Sequence, residues 1–432
     1  MAKRRRRTSG VSLGTVVTLI LVALVVAGSA MLFPKFMGDI DKRVDPMRVG
    51  VAIISAVNGS QQPQQPSPQP SPLLPIDMPT DPPTATPPAT HTITLTATGS
   101  IAIDAALQKA VTSEAGYAFG PLFEQLAGNF QSDINMATLE NTVVNNEKLT
   151  DINMPADALA AIHNCGITVL CNGFHGILNS GLDGLAATQE AIRKNGMIPY
   201  GIYGSVESRK HAQTVTVDDV TVAFLSFQSE LAAAGKKKTT REEQAFAVAA
   251  LTLPTISADI TAARAAGAQI VVVSLCWGKE GAEKPSATQR ELAQGIARAG
   301  ADIILGTHSG TVQTVEVLTS PAANGKERQT LCAYSLGNLL ISNRSDRSAI
   351  SGALLHVSMR YSLADDSLTF DTLTYTPTYV WRGKIDGKST YRVLVSNAQP
   401  PDYVAEDQQN VMERSLSLVR DKFAESIVSE AP

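Results

Sequence analysis

Five segments that read as β-strands each end in residues that could take part in chemistry. They end in Gly99-Ser100, in Glu140-Asn141, in Asn172 followed by His175, in Cys276-Trp277-Gly278, and in Gly306-Thr307-His308-Ser309. Carboxylate, imidazole, amide and thiol groups are the side chains that bind metal ions and transfer protons in enzymes. Any one of these residues alone reads more simply as a turn residue that caps the next helix. Their recurrence at five strand ends favours a shared site.

Strands and helices alternate through most of the body, which predicts α/β layers with parallel strand pairs. The predicted strands cover residues 92–99, 135–139, 167–171, 220–227, 269–275, 302–305 and 331–336. The predicted helices cover residues 102–111, 157–164, 185–195, 256–266 and 288–299. In open α/β sheets, sites form beyond the carboxyl ends of the strands, which is where the polar residues fall.

The pattern changes after residue 353 to long alternating strands, separated by Asp365-Asp366-Ser367 and by Asp386-Gly387. These residue types are typical of tight turns, so residues 353–395 are predicted to be antiparallel strands that close the fold. Residues 404–429 read as an amphipathic C-terminal helix. Lys236-Lys237-Lys238 reads as a solvated loop. The cysteines read as buried free thiols, with Cys171 and Cys276 as one pair that could approach.

The first 91 residues are predicted to be an anchor and a linker. A basic tail (1–10) precedes residues 11–33, which contain no charged side chain and as a helix span roughly 34 Å, enough to cross a membrane. The basic side should stay in the cytoplasm, which places the body outside. A cleaved signal peptide ending near Gly28-Ser29-Ala30 is the alternative. Residues 34–91 include a proline-rich stretch, typical of an extended linker.

Composition and charge argue against three broad classes of protein. Apolar residues make up 44% of the 432 residues, enough for a sizeable core and too many for a wholly disordered chain. The net charge is −4, and without the five cations at residues 3–7 it is −9. An acidic body argues against nucleic-acid binding. Four cysteines are too few for a disulfide scaffold in a chain of this length.

Six sequence blocks share an order with a known family. They are TATGSIAI, MATLENTVV, VLCNGFHGILNSGLDGL, SLCWGKEG, AGADIILGTHSGTVQTVE and AYSLGNLL. The blocks lie within residues 92–376, and this region resembles the CapA-type capsule or poly-γ-glutamate synthesis proteins of the calcineurin-like metallophosphoesterase superfamily. The resemblance implies a sandwich of two β-sheets flanked by helices (residues 92–400), followed by a C-terminal helix (401–432). Active members of the superfamily hold two metal ions about 3.5–4 Å apart at the strand ends.

The sequence departs from the family pattern at three positions that matter for metal binding. Ser100 stands where the family has its first Asp, Cys276 where it has a His, and Gly310 where it has the last His of the loop. Residues that the resemblance retains as metal ligands are Glu140, His308 and one of Asn172 or His175. It implies a site for one divalent ion, zinc or manganese, or for none, with His175 and His308 as catalytic candidates. Further residues assigned to the cleft are Ser100, Asn141, Cys276, Trp277, Gly306, Ser335 and Asn338.

The resemblance therefore implies a membrane-anchored extracellular protein that acts in the assembly or export of a capsule or another anionic envelope polymer. The implied partners are the membrane, the polymer and capsule-synthesis membrane proteins. One alternative is an enzyme, a metal-dependent phosphoesterase or amide hydrolase that acts on envelope polymers. A structural tether with no ligand is the other.

Overall fold

The computed structural model describes residues 90–144, 150–321 and 325–431. The predicted basic tail, the anchor at residues 11–33 and the proline-rich linker lie outside the described residues. Within the described ranges, no helix combines the length and the apolar character needed to cross a membrane.

The strands, in chain order, are β1 (Thr90–Ile101), β2 (Thr112–Ser113), β3 (Gly116–Tyr117), β4 (Ile134–Leu139), β5 (Thr142–Val143), β6 (Asn153–Met154), β7 (Val169–Cys171), β8 (Ile198–Tyr200), β9 (Gln213–Val217), β10 (Val220–Gln228), β11 (Ile270–Cys276), β12 (Ile303–Thr307), β13 (Val315–Pro321), β14 (Glu327–Ala333), β15 (Asn338–Leu340), β16 (Ser351–Ser362), β17 (Ser367–Ile385), β18 (Lys388–Val395) and β19 (Ser429–Glu430). The α-helices are α1 (Ala105–Val111), α2 (Asp157–Asn164), α3 (Gly181–Lys194), α4 (Ala233–Lys238), α5 (Arg241–Ala247), α6 (Leu253–Ala265), α7 (Ala287–Ala299) and α8 (Glu406–Phe423).

Two large sheets contain most of the described strands. The first has the order β18-β17-β16-β1-β4-β7-β8, with β15 beside the end of β1 and β19 beside β17. In this sheet β1, β4, β7 and β8 are parallel, and β16, β17 and β18 form the antiparallel side. The second has the order β13-β14-β12-β11-β10-β9, with β10, β11, β12 and β14 parallel. The predicted parallel pairs and antiparallel closing strands are confirmed.

The core between the two sheets follows from the alternation of side chains along each strand. Ile93 and Leu95 of β1 belong to the same fully buried cluster as Val222 and Phe224 of β10. Intervening residues of the second sheet, such as Leu225, belong to another cluster, which includes residues of α6 and α7. Each fully buried side chain of this size contributes about 1.5–3 kcal/mol to stability. The expected sandwich of two sheets with helices on the outside is confirmed.

The helix before β12, α7, has a hydrogen-bonded cap at its start and a left-handed glycine at its end. At the start of α7, the Ser286 hydroxyl accepts a hydrogen bond from the Gln289 N–H, and the Gln289 side chain accepts one from the Ser286 N–H. These two bonds satisfy N–H groups that a helix start leaves unpaired. At the other end, Gly300 has φ +102°, a left-handed conformation that favours glycine. The predicted end of this helix at Gly300 is confirmed.

A buried ion-pair cluster fixes the chain between α7 and β12. The Asp302 carboxylate is fully buried and accepts hydrogen bonds from Arg264 (2.5 Å), from Arg328 (2.5 and 3.1 Å) and from the Val271 N–H (2.7 Å). This Asp belongs to the AGADIILG block, so the cluster gives that residue a structural role at the opposite end of β12 from the polar residues.

Several predicted boundaries are wrong, for local reasons. The first helix begins at Ala105 rather than at residue 102, because the Asp104 carboxylate caps it by accepting from the Leu107 N–H. Lys236-Lys237-Lys238 forms the exposed end of α4 rather than a loop. The C-terminal helix is shorter than predicted and ends at Phe423. Beyond it, the Ser426 hydroxyl accepts a hydrogen bond from Val315 N–H in β13, so the chain follows that strand instead.

Candidate functional site

Some of the polar residues at the strand ends line one cavity, here called the histidine cavity, with a volume of about 370 Å³. Of the predicted site residues, Glu140, His175, His308 and Asn338 line it, whereas Ser100, Asn141, Asn172, Cys276, Trp277, Gly306 and Ser335 do not. Glu140 follows β4 and His175 follows β7 of the first sheet, whereas Glu280 follows β11 and His308 follows β12 of the second. Asn338, the first residue of β15, also lines it. Because these residues come from both sheets, the carboxyl ends of the two sets of parallel strands meet at this cavity, as expected for α/β sheets.

Ser100 and Glu140 form the shortest contact between predicted site residues. The Ser100 hydroxyl donates a hydrogen bond of 2.7 Å to Oε1 of Glu140, and Ser100 is almost fully buried. The contact forms because β1 and β4 are parallel neighbours, with Ser100 beside Thr138 just after an irregularity in the register between Ala97 and Ser100. A neutral hydroxyl therefore caps the carboxylate at the position where the family resemblance places an aspartate.

Asn172 and Asn141 are both fully buried, but their side chains differ in how well they are paired. Asn141 accepts from the Ile103 N–H (2.7 Å) and donates to the carbonyls of Ile103 and Ile152, so it joins two loops. Asn172 donates to the carbonyls of Leu139 (2.7 Å) and Asn141 (3.1 Å). Its Oδ1 has no hydrogen-bond partner in the described part of the chain. Of the two side chains, Asn172 is therefore the one whose amide oxygen accepts no hydrogen bond from the described residues.

The two histidines of the site lie close together. The ring centroids of His175 and His308 are 5.7 Å apart, in an edge-to-face arrangement. His308 has φ +84°, a left-handed backbone that is unusual for a residue other than glycine. Strained backbone of this kind is found most often at functional sites, where the surrounding structure maintains it. The left-handed backbone of His308 is therefore consistent with a functional role for this residue.

Cys276 ends β11 beside this pair but is buried rather than exposed to the cavity. Burial, together with the nearby negative charge of Glu140 and the neighbouring Cys171 thiol, raises the pKa of Cys276 to about 12. The surroundings therefore favour the neutral thiol over the thiolate, the form in which cysteine binds a metal ion. Cys171 donates a hydrogen bond to Ser226 Oγ at 3.3 Å, and all four cysteines are free, as predicted.

Trp277 and Gly306 contribute to the packing under the site. The Trp277 ring is buried, stacks on Tyr334 at 5.7 Å, and donates its N–H to the Tyr334 carbonyl at 3.1 Å. A Cβ at position 306 would lie 2.0 Å from that carbonyl oxygen, so only glycine fits there. Ser335 is also buried, and its hydroxyl accepts a hydrogen bond from the Gly337 N–H at 3.2 Å.

Asn338 holds the histidine loop in place. Its side-chain amide donates to the carbonyls of Gly310 (3.0 Å) and Ala349 (2.8 Å). Gly310 has φ +67°, so the residue that stands in place of the family's last histidine adopts a backbone that favours glycine. Asn338 therefore lines the cavity and also supports the loop that carries His308.

Sequence reasoning missed two acidic residues of the histidine cavity, Glu280 and Asp346. The Ser348 backbone N–H, which donates to Asp346 at 2.9 Å, lowers the pKa of that carboxyl. With Glu140, these residues give the cavity three carboxylates, and none of the described residues that line it is Lys or Arg. Both residues lie a few positions beyond a strand end, so a search limited to the strand ends overlooked them.

A metal centre requires several ligand side chains that converge on one point. Among the described ranges, no group of three or more His, Cys, Asp or Glu side chains is arranged to hold a metal ion. Glu140, His175 and His308 share a cavity without forming such a group. The described residues therefore do not fit a centre of two bridged metals.

The family is shown by comparison with known sequences. The profile of the family described as bacterial capsule synthesis protein PGA_cap matches residues 94–343, more than half of the chain. This chain therefore belongs to that bacterial capsule synthesis family. In this chain the matched region adopts the mixed α/β fold described above.

Two curated relatives carry names from the same field. The PGA biosynthesis protein CapA of Bacillus subtilis (strain 168) is 26% identical over 285 residues, which cover 64% of this chain and 70% of the relative. The capsule biosynthesis protein CapA of Bacillus anthracis is 25% identical over 237 residues, which cover 55% of each chain. The chain thus spans only part of the length of these relatives.

Solved structures with some similarity to this chain include a nucleotidase and a phosphoesterase. The NAD nucleotidase of Haemophilus influenzae has a TM-score of 0.40 at 10% identity, covering 79% of this chain and 57% of that one. The calcineurin-like phosphoesterase YfkN of Bacillus subtilis has a TM-score of 0.37 at 11% identity, covering 76% and 100%. Scores of this size carry no inference about function.

Proposed function

We propose that this protein acts in the assembly or export of an anionic polymer of the bacterial cell envelope, of the poly-γ-glutamate class or similar. Its membership of the capsule synthesis family and the names of its two curated relatives support this proposal. The basic block and the apolar run at residues 11–33 support an N-terminal membrane anchor with the body outside the cell. The proline-rich stretch would then hold the body away from the membrane.

The proposal includes a histidine cavity that has lost the two-metal chemistry of the superfamily. The single observation that carries it is the 2.7 Å hydrogen bond from Ser100 to Glu140. A bridging carboxylate would supply negative charge to two cations, whereas a hydroxyl supplies none and donates its proton to a Glu140 oxygen. Cys276, whose surroundings favour the neutral thiol, and the left-handed Gly310 stand at two further family ligand positions. What remains could bind one divalent ion weakly.

A second candidate is a metal-dependent phosphoesterase or amide hydrolase that acts on envelope polymers. The observation that favours it is the charge of the histidine cavity, whose three carboxylates and two imidazoles would attract a cation. An anionic substrate would need such a cation before it could approach these carboxylates. In that case His175 and His308 would be the groups placed to transfer protons.

Two experiments separate these candidates. Deletion of the gene, followed by quantification of cell-bound anionic polymer, tests the first: we expect the polymer to fall, and an unchanged amount would contradict the proposal. Titration of the purified full-length chain with Mn²⁺ and Zn²⁺ by calorimetry, with an aryl phosphate assay, tests the second. We expect no tight binding of two ions and negligible turnover. Tight binding of two ions with matching phosphatase activity would favour the enzyme.

A further inference from the structure

A small cavity of about 80 Å³ lies on the outer face of the second sheet, between α6 and the strands β9 and β10. It is here called the alanine cavity, and it shares no lining residue with the histidine cavity. The apolar part of its wall consists of Leu225 and six alanines, which are Ala212, Ala223, Ala262, Ala263, Ala266 and Ala268. Because an alanine side chain ends at Cβ, neither the helix nor the sheet fills the space between them.

The polar part of the wall contains hydrogen-bonding atoms that no described residue occupies. Tyr203 lines the cavity and is 5% exposed, and its hydroxyl forms no hydrogen bond within the described part of the chain. Nη2 of Arg209 donates to Oδ2 of Asp259 at 2.6 Å, which leaves Nε and Nη1 of the arginine and Oδ1 of the aspartate without partners among the same residues. None of these four atoms is completely enclosed by the described residues, so a molecule in the cavity can reach them.

Tyr203 and Arg209 are held in place without a ligand. The Arg209 guanidinium lies over the Tyr203 ring, 5.0 Å from its centroid, and the Tyr203 N–H donates to the Ala247 carbonyl at 3.0 Å. Burial raises the pKa of Tyr203 to about 12, so the phenol stays neutral and keeps a proton that it can donate. These groups are therefore arranged before a ligand arrives, which lowers the entropic cost of binding.

Opposite charges border the alanine cavity. The side chains of Arg209 and Asp259 are 17% and 20% exposed. The other charged residue of the wall, Lys210, pairs with Glu207 at 2.7 Å, and His211 lies 3.4 Å from the same carboxylate. Asp259 would repel a simple anion and Arg209 would repel a simple cation, whereas a molecule with one charge of each sign can face both. The volume is about half of the roughly 150 Å³ that enclose benzene, so the ligand must be small.

We propose that the alanine cavity binds a small zwitterionic α-amino acid, of the size of glycine or alanine. The ligand carboxylate accepts hydrogen bonds from the free N–H groups of Arg209 and from the Tyr203 hydroxyl. The ligand ammonium donates to Oδ1 of Asp259, and its hydrogen or methyl side chain packs on the alanines. Longer side chains, such as those of glutamate and leucine, exceed the space. This inference goes beyond the proposed function and does not depend on it.

The test is calorimetric titration of the full-length chain, in a non-ionic detergent, with four small molecules. Free alanine carries both charges, propionate lacks the ammonium, ethylamine lacks the carboxylate, and glutamate has a longer side chain. We expect alanine to bind, and each of the other three to bind at least about tenfold more weakly, because each loses a charge-assisted hydrogen bond or does not fit. Propionate or ethylamine binding as tightly as alanine would overturn the zwitterion, and absence of alanine and glycine binding would overturn the site.

Three variants locate the binding. Tyr203→Phe keeps the ring under the guanidinium and removes only the hydroxyl, so it should weaken alanine binding about fivefold. Ala262→Leu fills the cavity and should abolish binding. Ala265→Leu is its matched control, an equally exposed alanine of α6 outside the cavity wall, and should leave binding unchanged. Both leucines occupy exposed helix positions, so neither should lower the unfolding temperature. Equal effects of the two leucine variants, or full affinity in Ala262→Leu, would overturn the assignment, while the outcome of gene deletion would still decide the proposed function.

Discussion

The substitution Ser100→Asp reverses the change on which the proposed loss of metal chemistry depends. Ser100 Oγ lies 2.7 Å from Oε1 of Glu140, and Ser100 is 2% exposed. The substitution removes the hydrogen bond that the hydroxyl donates and places a second carboxylate next to the first, with little water around it. We expect the variant without metal to be less stable than the natural protein at neutral pH.

The magnitude follows from the distance and from proton binding. Two like charges about 4 Å apart repel by about 4 kcal/mol at an effective dielectric constant of 20. The pair can reduce this cost by binding one proton. A carboxyl with an unfolded-state pKa near 4 that is kept protonated to pH 7 also costs about 4 kcal/mol. Because the folded state raises the pKa of the introduced carboxyl, the penalty should be small at about pH 4 and grow as the pH rises to 7.

The assay is urea unfolding of the full-length chain at about pH 4.5 and pH 7, with and without Mn²⁺ or Zn²⁺. We expect the Ser100→Asp variant to lose about 3–4 kcal/mol at pH 7 and to regain most of it when either metal is added. Ser100→Ala is the control. It loses the hydrogen bond but adds no charge, so its smaller loss should depend little on pH and not respond to metal.

Two outcomes would refute the reasoning. If Ser100→Asp is as stable as the natural protein at pH 7 without metal, the two carboxylates do not share a buried position. If Mn²⁺ or Zn²⁺ stabilises the natural protein as strongly as it stabilises the variant, the site already binds metal, and the serine has not removed that capacity.

Three further predictions concern the body and its attachment. Asp302→Asn should cost about 3–5 kcal/mol in urea unfolding, because it removes the fully buried carboxylate that pairs with the partly buried guanidinium groups of Arg264 and Arg328; a cost below 1 kcal/mol, on the order of an exposed ion pair, would contradict the burial. Burial raises the pKa of Cys165 and Cys276 to about 12, so both thiols should resist iodoacetamide at pH 8 in the folded chain and react after denaturation; rapid labelling of the folded chain would contradict this. External protease should release a folded body from intact cells, and shortening the proline-rich linker by about ten residues should leave its unfolding temperature unchanged; protection of the body until lysis would show that the orientation is wrong.

Much of the fold could be predicted because the relevant signals are local. The alternation in β1, the apolar run of β11 and the glycine at position 300 act within a few residues of the chain, and the structure follows them. The turn at Asp386-Gly387 has positive φ at both residues, as its composition indicated. Boundaries that depend on distant contacts could not be predicted. An example is the end of α8, beyond which the Ser426 hydroxyl accepts a hydrogen bond from the Val315 N–H of β13.

The site could be located from the sequence but not resolved in detail. Parallel strands place their carboxyl ends together, so Glu140, His175 and His308 could be expected in one cavity. Nothing in the local sequence shows that the Asn141 side chain forms its hydrogen bonds with backbone groups of the folded chain. The direction of the Trp277 ring, which packs inward on Tyr334, is equally hidden. Both depend on which residues of other elements approach in the folded state.

The central claim is that the protein supports envelope-polymer assembly without a two-metal catalytic centre. The most direct measurement is the amount of cell-bound anionic polymer in a deletion strain that carries either the natural gene or the double variant Glu140→Gln with His308→Gln. The two substitutions of the double variant remove groups that metal catalysis would need. Glu140→Gln keeps the size of the side chain, and Ser100 is left in place. We expect both genes to restore the polymer. Restoration by the natural gene alone, with equal amounts of both proteins in the envelope, would contradict the claim.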